Sequence, residues 1–206
     1  MKVIFVRHGQ AESNLDPLSG TVGQPSNLTA EGIWQTKLTA HFLGSFILTK
    51  TIYTSPLPRT RQTARIIAER LHLEIIVDER LAEIYKGDWQ GRPVRDIVQL
   101  EAKIDIDNRP TARPPHGENW RDVGERVSGF VEEQRRAGIQ ELLVVSHDHP
   151  IRMGIGRLTQ RPLSTWEDMA VGHASVTELN YIENQWRLHP TLVNVMPYAT
   201  KKLSER

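Results

Sequence analysis

The sequence has no cysteine, and this absence removes several classes of function. Without thiols there is no disulfide scaffold, no thiolate zinc site, no iron–sulfur cluster and no cysteine nucleophile. An excess of charge of one sign is also lacking, because 26 Lys and Arg against 25 Asp and Glu leave a formal charge of +1. We therefore expect neither an acidic or basic tail protein nor a nucleic-acid partner.

Long apolar runs are missing as well. No stretch approaches the ~18 residues of a membrane helix. The apolar residues 3–6 after Lys2 are too few for the core of a signal peptide. The rest of the composition, 38% hydrophobic and 25% charged, is that of an ordinary globular chain. We expect residues 1–206 to form a single domain of a soluble, cytoplasmic protein without a membrane partner.

Short apolar runs predict the strands of a sheet. Val3–Val6 and Leu142–Val145 are typical of strands buried on both faces, and Thr51–Thr54 is predicted as a third strand. Apolar and polar side chains alternate along residues 175–181 and 186–192, and this pattern predicts a hairpin at the sheet edge.

Helical patterns lie between these strands. The first helix is predicted with Ile33, Trp34, Leu38 and Phe42 on one face. The predicted helices cover 30–42, 58–71, 94–103 and 119–137, and a further strand covers 74–77. This alternation predicts an α/β fold, a three-layer α/β/α sandwich whose mostly parallel sheet has an antiparallel edge.

Two segments are predicted as loops. Residues 13–27 are rich in turn formers, and residues 108–117 carry three prolines and two arginines. Loops as long as residues 108–117 are uncommon without a function. Residues 108–117 are therefore either a connector or a lid over a site.

The residues after the predicted strands carry the chemistry. Arg7 and His8 follow the run at 3–6, Arg59 lies just beyond the strand at 51–54, and His147 follows the run at 142–145. Ligands of open α/β sheets bind outside the carboxyl ends of the strands. If the three strands are parallel neighbours, these four side chains converge.

Such a cluster has an excess of positive charge. Two arginines and two imidazoles lie in segments without an obvious carboxylate partner, so the missing counter-charge is most simply an anion. Arginine binds phosphate through a bidentate fork. Arg59 also opens a predicted helix, where free N–H groups favour an anion. The pattern therefore indicates a phosphate site.

Several motifs resemble those of one family. Arg7-His8-Gly9, with Asn14 shortly after, is similar to the signature of the histidine phosphatase (phosphoglycerate mutase-like) superfamily. Further segments resemble the same family in the same order: 55–64, 81–91, 115–119, 144–147 and 174–179. The resemblance spans Val3 to about Tyr181 and implies the fold predicted above.

The resemblance implies a role for each matching residue. His8 is the nucleophile that becomes phosphohistidine, and Glu83 protonates the leaving oxygen and then activates water. The phosphoryl oxygens are held by Arg7, Asn14, Arg59 and His147. The role of His8 as nucleophile is chemically consistent, because nearby arginines disfavour the cationic form of its imidazole and keep it able to attack.

Three positions depart from the family pattern. Ala11 replaces a hydroxyl residue that the family often has, and His173 stands where Asn is common. Asp148 follows His147 where Gly is frequent. The Asp148 carboxylate either orients a neighbour or points away, since facing the phosphate would weaken its binding.

Alternative sites are less well supported. His147-Asp148-His149 suggests a metal site, but i and i+2 side chains do not share a helix face, and no third clustered ligand is evident. Ser146-His147 lacks the Gly-x-Ser-x-Gly elbow of a serine hydrolase. We expect no metal and no cofactor.

Three function classes remain open. The first is a phosphomonoesterase acting on small phosphorylated metabolites, and the second is a phosphoglycerate mutase. Residues 85–91 disfavour the mutase, because they lack the Arg-His-Tyr-Gly-Gly-Leu run of glycolytic mutases. The third is a binding module without catalysis, disfavoured because His8, Arg59, Glu83 and His147 are all present.

The substrate and the oligomeric state stay open, a homodimer included. An anionic or aromatic substrate body would suit the residues expected at the mouth of the site. These residues are Arg92, Arg95, Arg109, Arg113, His116 and Trp120.

Overall fold

The computed structural model describes residues 1–15 and 23–199. In this part of the chain six strands form one sheet. They are β1 (Lys2–Arg7), β2 (Thr51–Thr54), β3 (Glu74–Val77), β4 (Glu141–Ser146), β5 (Val176–Ile182) and β6 (Gln185–Leu188). Their order across the sheet is β3-β2-β4-β1-β5-β6. Strands β1, β2, β3 and β4 pair in parallel, whereas β5 and β6 pair antiparallel to their inner neighbours. The predicted mostly parallel sheet with an antiparallel edge is confirmed.

Helices cover both faces of the sheet. They are α1 (Ala30–Leu43), α2 (Pro58–Leu71), α3 (Val94–Glu101), α4 (Trp120–Arg136) and α5 (Asp148–Leu158). Ile4 and Val6 of β1 pack in one apolar cluster with α1 and α2. Val3 and Phe5 pack in another with α4 and α5. Successive strand residues point to opposite faces, so a fully apolar run suits a strand between two helical layers. The three-layer sandwich is confirmed.

The buried face of α1 differs from the prediction. Ile33 is 39% exposed, and Trp34, Leu38 and Phe42 are only partly buried. The residues that face inward are Gly32, Gln35, Thr36, Thr39, Ala40 and Leu43. The N-terminal half of this face lies against the loop that follows β1, where small and hydrogen-bonding side chains are needed: the Gln35 amide oxygen accepts from the backbone of Gln10. Ala40 and Leu43, in the C-terminal half, pack against the sheet.

Helix α5 was not predicted from the sequence. Gly154 and Gly156 are poor helix formers and weaken its helical signal. In the structure both glycines allow close packing, because a Cβ atom would meet Val127 at the first and Trp166 at the second. Strand β6 also ends at Leu188, before the predicted 192. Pro190 lacks the N–H that would continue the ladder.

The predicted loops lie partly within the described residues. Of the turn-rich segment 13–27, residues 16–22 lie outside them. Segment 108–117 is held against residues 85–88: Asp88 donates its backbone N–H to Pro115, and the His116 ring lies 3.0 Å from the Asp88 carboxylate. Among the described helices, none has the length and apolar character to cross a membrane.

Candidate active site

Three neighbouring strands end at one place. Arg7, the last residue of β1, is paired with Ser146 of β4, and the His8 N–H donates to the Ser146 carbonyl at 3.0 Å. On the other side of β4, the Ser55 N–H donates to the Val145 carbonyl. Because β2, β4 and β1 are adjacent and parallel, the residues after them share one edge. The structure thus brings Arg7, His8, Arg59 and His147 together as predicted.

His8 is held as a neutral imidazole whose Nε2 carries the lone pair. Its Nδ1 lies 2.7 Å from the Gly9 carbonyl oxygen. Since a carbonyl only accepts, Nδ1 carries the proton and Nε2 has the lone pair. Arg59 Nε donates to that Nε2 at 3.3 Å. Burial lowers the pKa of His8 well below its ordinary value, and the nearby His147, Arg59 and Arg7 lower it further.

Gly9 fixes the backbone that carries His8. Its N–H donates to Thr63 Oγ1 of α2 at 3.2 Å. A Cβ at position 9 would collide with the Gly32 carbonyl and the Thr36 hydroxyl of α1. Only glycine therefore lets the loop after β1 lie this close to α1, and this contact fixes the backbone next to His8.

Arg7 is oriented by Asp148. Its NH1 donates to the Val171 carbonyl at 2.5 Å and lies 3.6 Å from Asp148 Oδ1. The other Asp148 oxygen is 2.9 Å from Arg152 NH2. Of the two readings from the sequence, Asp148 therefore orients its neighbours. Arg7 Nε is buried and has no hydrogen-bond partner among the described residues.

His147 presents an unpaired ring nitrogen beside His8. The two ring centroids lie 5.2 Å apart. Ser55 Oγ is 2.7 Å from His147 Nε2, whereas the buried Nδ1 has no partner in the described chain. Burial lowers the pKa of His147 to about 3. The charge of Glu83 raises this pKa, whereas the charges of Arg59 and Arg7 lower it. His147 is thus neutral, and it caps the N-terminus of α5, where an anion is favoured.

His173 also faces His8. Its ring centroid lies 6.0 Å from that of His8, and its buried Nε2 has no partner within residues 1–15 and 23–199. Burial and the charge of Arg7 lower its pKa to about 4. The departure from the family pattern therefore places a neutral imidazole beside the cluster.

Glu83 is paired with His149. Glu83 Oε1 lies 3.4 Å from His149 Nδ1, and the side chains are 25% and 29% exposed. Burial favours a higher Glu83 pKa, but the charge and hydrogen bond of His149, with the charge of His147, lower it overall. Burial lowers the pKa of His149, but Glu83 and Asp148 raise it above its ordinary value. Below the raised pKa of His149 the pair therefore holds one proton, mainly on the imidazole.

A partly buried arginine, Arg126, braces the segment of Glu83. Arg126 donates to both carboxylate oxygens of Glu118, at 2.7 and 3.0 Å, and to the Arg80 carbonyl at 2.6 Å. Glu118 also accepts from the Tyr85 N–H at 2.8 Å. Both Glu118 oxygens are thus committed to positioning residues 80–85.

Asn14 makes a local contact. Its Oδ1 accepts from the Ala11 N–H at 3.0 Å. The role that the resemblance implies for Asn14 at the phosphate stays a prediction.

Two contributors were missed by the sequence analysis. Ser55 was recognised only as part of a motif, and His149 only as a candidate metal ligand. Within the described residues, no three His, Asp or Glu side chains are grouped to hold a metal ion. The position of His149 in the first turn after a strand end is the signal that could have linked it to the site.

Comparison with known proteins places the site in a family. A family model described as histidine phosphatase superfamily (branch 1) matches residues 3–192. Phosphoserine phosphatase 1 of Hydrogenobacter thermophilus is 36% identical over 193 residues, covering 90% of this chain and 89% of that protein. GpmB of Yersinia enterocolitica, which carries a phosphoglycerate mutase name, is 31% identical over 192 residues, covering 90% and 87%.

A solved structure gives the same result. A mycobacterial glucosyl-3-phosphoglycerate phosphatase, solved with VO3, matches with a TM-score of 0.80 and 28% identity, over 94% of this chain and 98% of that one. Since the family model extends from β1 past β6 and both relatives align over nine-tenths of the chain, this protein belongs to the histidine phosphatase superfamily, branch 1.

Proposed function

We propose that this protein is a phosphomonoesterase that hydrolyses small phosphorylated metabolites through a phosphohistidine on His8. One observation carries the proposal: a neutral His8 is surrounded by buried polar groups that lack a partner in the described structure. These groups are Arg7 Nε, His147 Nδ1 and His173 Nε2. Buried donors without partners are costly, and the oxygens of a phosphoryl group supply the missing acceptors.

In the first half-reaction His8 displaces the leaving group. The Nε2 lone pair attacks phosphorus, and the bond from phosphorus to the ester oxygen breaks as the P–N bond forms. Charge on the equatorial oxygens is stabilised by Arg7, Arg59 and His147. Arg59 Nε, which donates to Nε2 in the free protein, turns to the incoming phosphoryl oxygen.

The Glu83–His149 pair supplies the proton. The substrate dianion raises the pKa of Glu83, because a nearby negative charge disfavours the carboxylate. The proton of the pair then passes through Glu83 to the leaving oxygen, and His149 becomes neutral. In the second half-reaction water attacks phosphorus, the P–N bond breaks, and the proton from water returns through Glu83 to His149. Phosphate leaves and His8 is restored.

A phosphoglycerate mutase is the second candidate. It uses the same phosphohistidine but returns the phosphoryl group to an organic acceptor. Residues 85–91 lack the run that marks glycolytic mutases, and this favours hydrolysis. Because one relative carries a phosphoglycerate mutase name, both activities are tested.

The test is a panel of phosphorylated metabolites assayed for phosphate release, with His8→Ala as the control. A parallel assay supplies 3-phosphoglycerate with catalytic 2,3-bisphosphoglycerate and follows both phosphate and 2-phosphoglycerate. We expect phosphate release from at least one ester to be much faster than isomerisation. Isomerisation that exceeds every phosphatase rate would replace the phosphatase by the mutase.

Several further properties belong to the proposal. We expect catalysis without a metal, because Arg7 and Arg59 supply the positive charge that a divalent ion would bring and remain protonated at working pH. We expect one domain over residues 1–206, since the sheet combines strands from both halves of the chain. A cytoplasmic location is consistent with the absence of cysteine.

A further inference from the structure

A cavity of about 390 Å³ lies beside the phosphate site, between α3, residues 109–114 and the start of α4. This volume is in the range of small-molecule sites. Ile84, Lys86, Val94 and His149 line both this cavity and the groove that contains Arg59 and Glu83. The cavity therefore adjoins the reacting centre.

The geometry of the displacement at phosphorus directs the leaving group toward this cavity. In an in-line displacement the leaving oxygen departs opposite the attacking His8. Glu83 must contact that oxygen to protonate it, so the substrate body begins at Glu83. His149, the partner of Glu83, is part of the cavity wall. A leaving group that continues past Glu83 enters the cavity.

The walls are mainly apolar. Aromatic and aliphatic side chains supply most of the surface: Ile84, Trp89, Val94, Ile97, Val98 and Trp120. Val98 is 47% exposed, although it lies on a helix whose buried residue is Ile97. An apolar body placed there would remove such surface from water.

The cavity also has one unpaired cation. Lys86 is 2.6 Å from the Glu101 carboxylate, and Arg113 is 2.6 Å from Asp122. The guanidinium of Arg109 has no ion pair or hydrogen bond within the described residues, and its Nε is buried. Of the lining carboxylates, Glu101 and Glu118 are paired, and Glu167 is exposed to solvent.

We propose that this cavity binds the leaving group, and that it selects phosphate monoesters whose apolar body ends in a carboxylate paired with Arg109. The inference rests on the proposed phosphatase function and adds the substrate class. Apolar walls bind the body without directional contacts, whereas the buried Nε of Arg109, which has no partner in the described structure, gains one from a carboxylate.

Matched esters test this assignment. Linear alkyl phosphates are compared with ω-carboxyalkyl phosphates of the same chain length, over a series of lengths, in wild type and Arg109→Ala. At the best length, wild type should prefer the carboxylate ester by about 10- to 100-fold in kcat/KM, the range of a charge-assisted hydrogen bond. Arg109→Ala should reduce that ratio at least tenfold, and Arg109→Lys should restore part of it.

Arg121→Ala is the matched control. Arg121 is an exposed arginine at the start of α4 that does not line the cavity. Its removal should leave both rates and their ratio unchanged. A thermal melt of each variant verifies folding.

Three outcomes would overturn the assignment: no carboxylate preference in wild type at any length, equal losses of both esters in Arg109→Ala, or the same loss in Arg121→Ala. Hydrolysis of 4-nitrophenyl phosphate, which needs little of the cavity, separates this failure from that of the proposed function. If wild type hydrolyses 4-nitrophenyl phosphate but shows no preference for the ω-carboxyalkyl over the alkyl phosphates, only the cavity assignment is wrong.

Discussion

Replacing His149 by glutamine should move the alkaline limb of the pH profile to lower pH. In wild type the Glu83–His149 pair keeps its proton until the pH rises through the raised pKa of His149, which lies above 6.5. Glutamine can hydrogen-bond to Glu83 but carries no charge. The proton must then reside on Glu83 alone, and a carboxyl group loses it at lower pH even when burial raises its pKa.

The magnitude follows from the geometry. Two unit charges at the 3.4 Å separation of the pair attract by about 5 kcal/mol at an effective dielectric constant of about 20. Solvent reaches about a quarter of each side chain, so we expect roughly 1.5–3 kcal/mol. At 1.36 kcal/mol per pKa unit, the loss of this attraction alone contributes about one to two pH units to the displacement of the limb.

The assay compares an alkyl phosphate with 4-nitrophenyl phosphate between pH 5 and pH 9. An alkyl leaving group needs the proton, whereas 4-nitrophenolate leaves without one. The limb should therefore move only for the alkyl phosphate, whose kcat at pH 8 should fall about tenfold or more.

His173→Gln is the matched control. It removes an imidazole that lies beside His8, but the pKa of His173 is already about 4, so the alkaline limb should stay in place. A His149→Gln profile with an unmoved limb, or with equal changes for both substrates, would refute the proton-holding role of the pair.

The remaining predictions concern the same site. Glu83→Gln should slow alkyl phosphates by about 10²–10⁴-fold in steady-state assays and 4-nitrophenyl phosphate far less, and equal losses would make Glu83 structural. Ser55→Ala removes the partner of His147 Nε2 and should lower kcat/KM by about 10- to 100-fold, through a cost of about 1–3 kcal/mol; an unchanged kcat/KM would contradict the positioning of His147 by Ser55. Activity should survive prolonged EDTA treatment, and vanadate should inhibit competitively by binding at Arg7 and Arg59; loss to the chelator with rescue by one divalent metal would show that a metal is required.

The convergence of the site could be predicted because buried parallel strands have a clear pattern. Val3–Val6 and Leu142–Val145 are uninterrupted apolar runs, and both are buried in the structure. The carboxyl ends of parallel strands meet at one edge, so the residues after them could be grouped without knowing the strand order. This reasoning located Arg7, His8 and His147.

The pairing within the site could not be predicted. Glu83 and His149 are far apart in the chain, and their contact depends on how residues 80–85 are held by Arg126 and Glu118. No local pattern encodes such a contact. In the sequence the run at 147–149 suggested only a metal site, which the i and i+2 spacing disfavoured, because proximity in sequence was the only relation visible.

Tertiary packing also overrode two local patterns. The apolar residues of α1 suggested a buried face through Ile33, but close approach to the site loop requires Gly32 and Thr36 inside. Helix α5 forms despite Gly154 and Gly156. Glycine is required at both positions because larger residues there would collide with their neighbours. Propensity is a weak guide wherever the backbone of one element touches another.

Trapping the intermediate tests the central claim most directly. The protein is mixed with a ³²P-labelled phosphomonoester, quenched with alkali within the first turnover, digested and mapped. We predict a label on the peptide that contains His8, stable to alkali and labile to acid, and located on His8 Nε2. His8→Ala should carry no label and release no phosphate. A label on a serine or aspartate, or full turnover by His8→Ala, would contradict the mechanism.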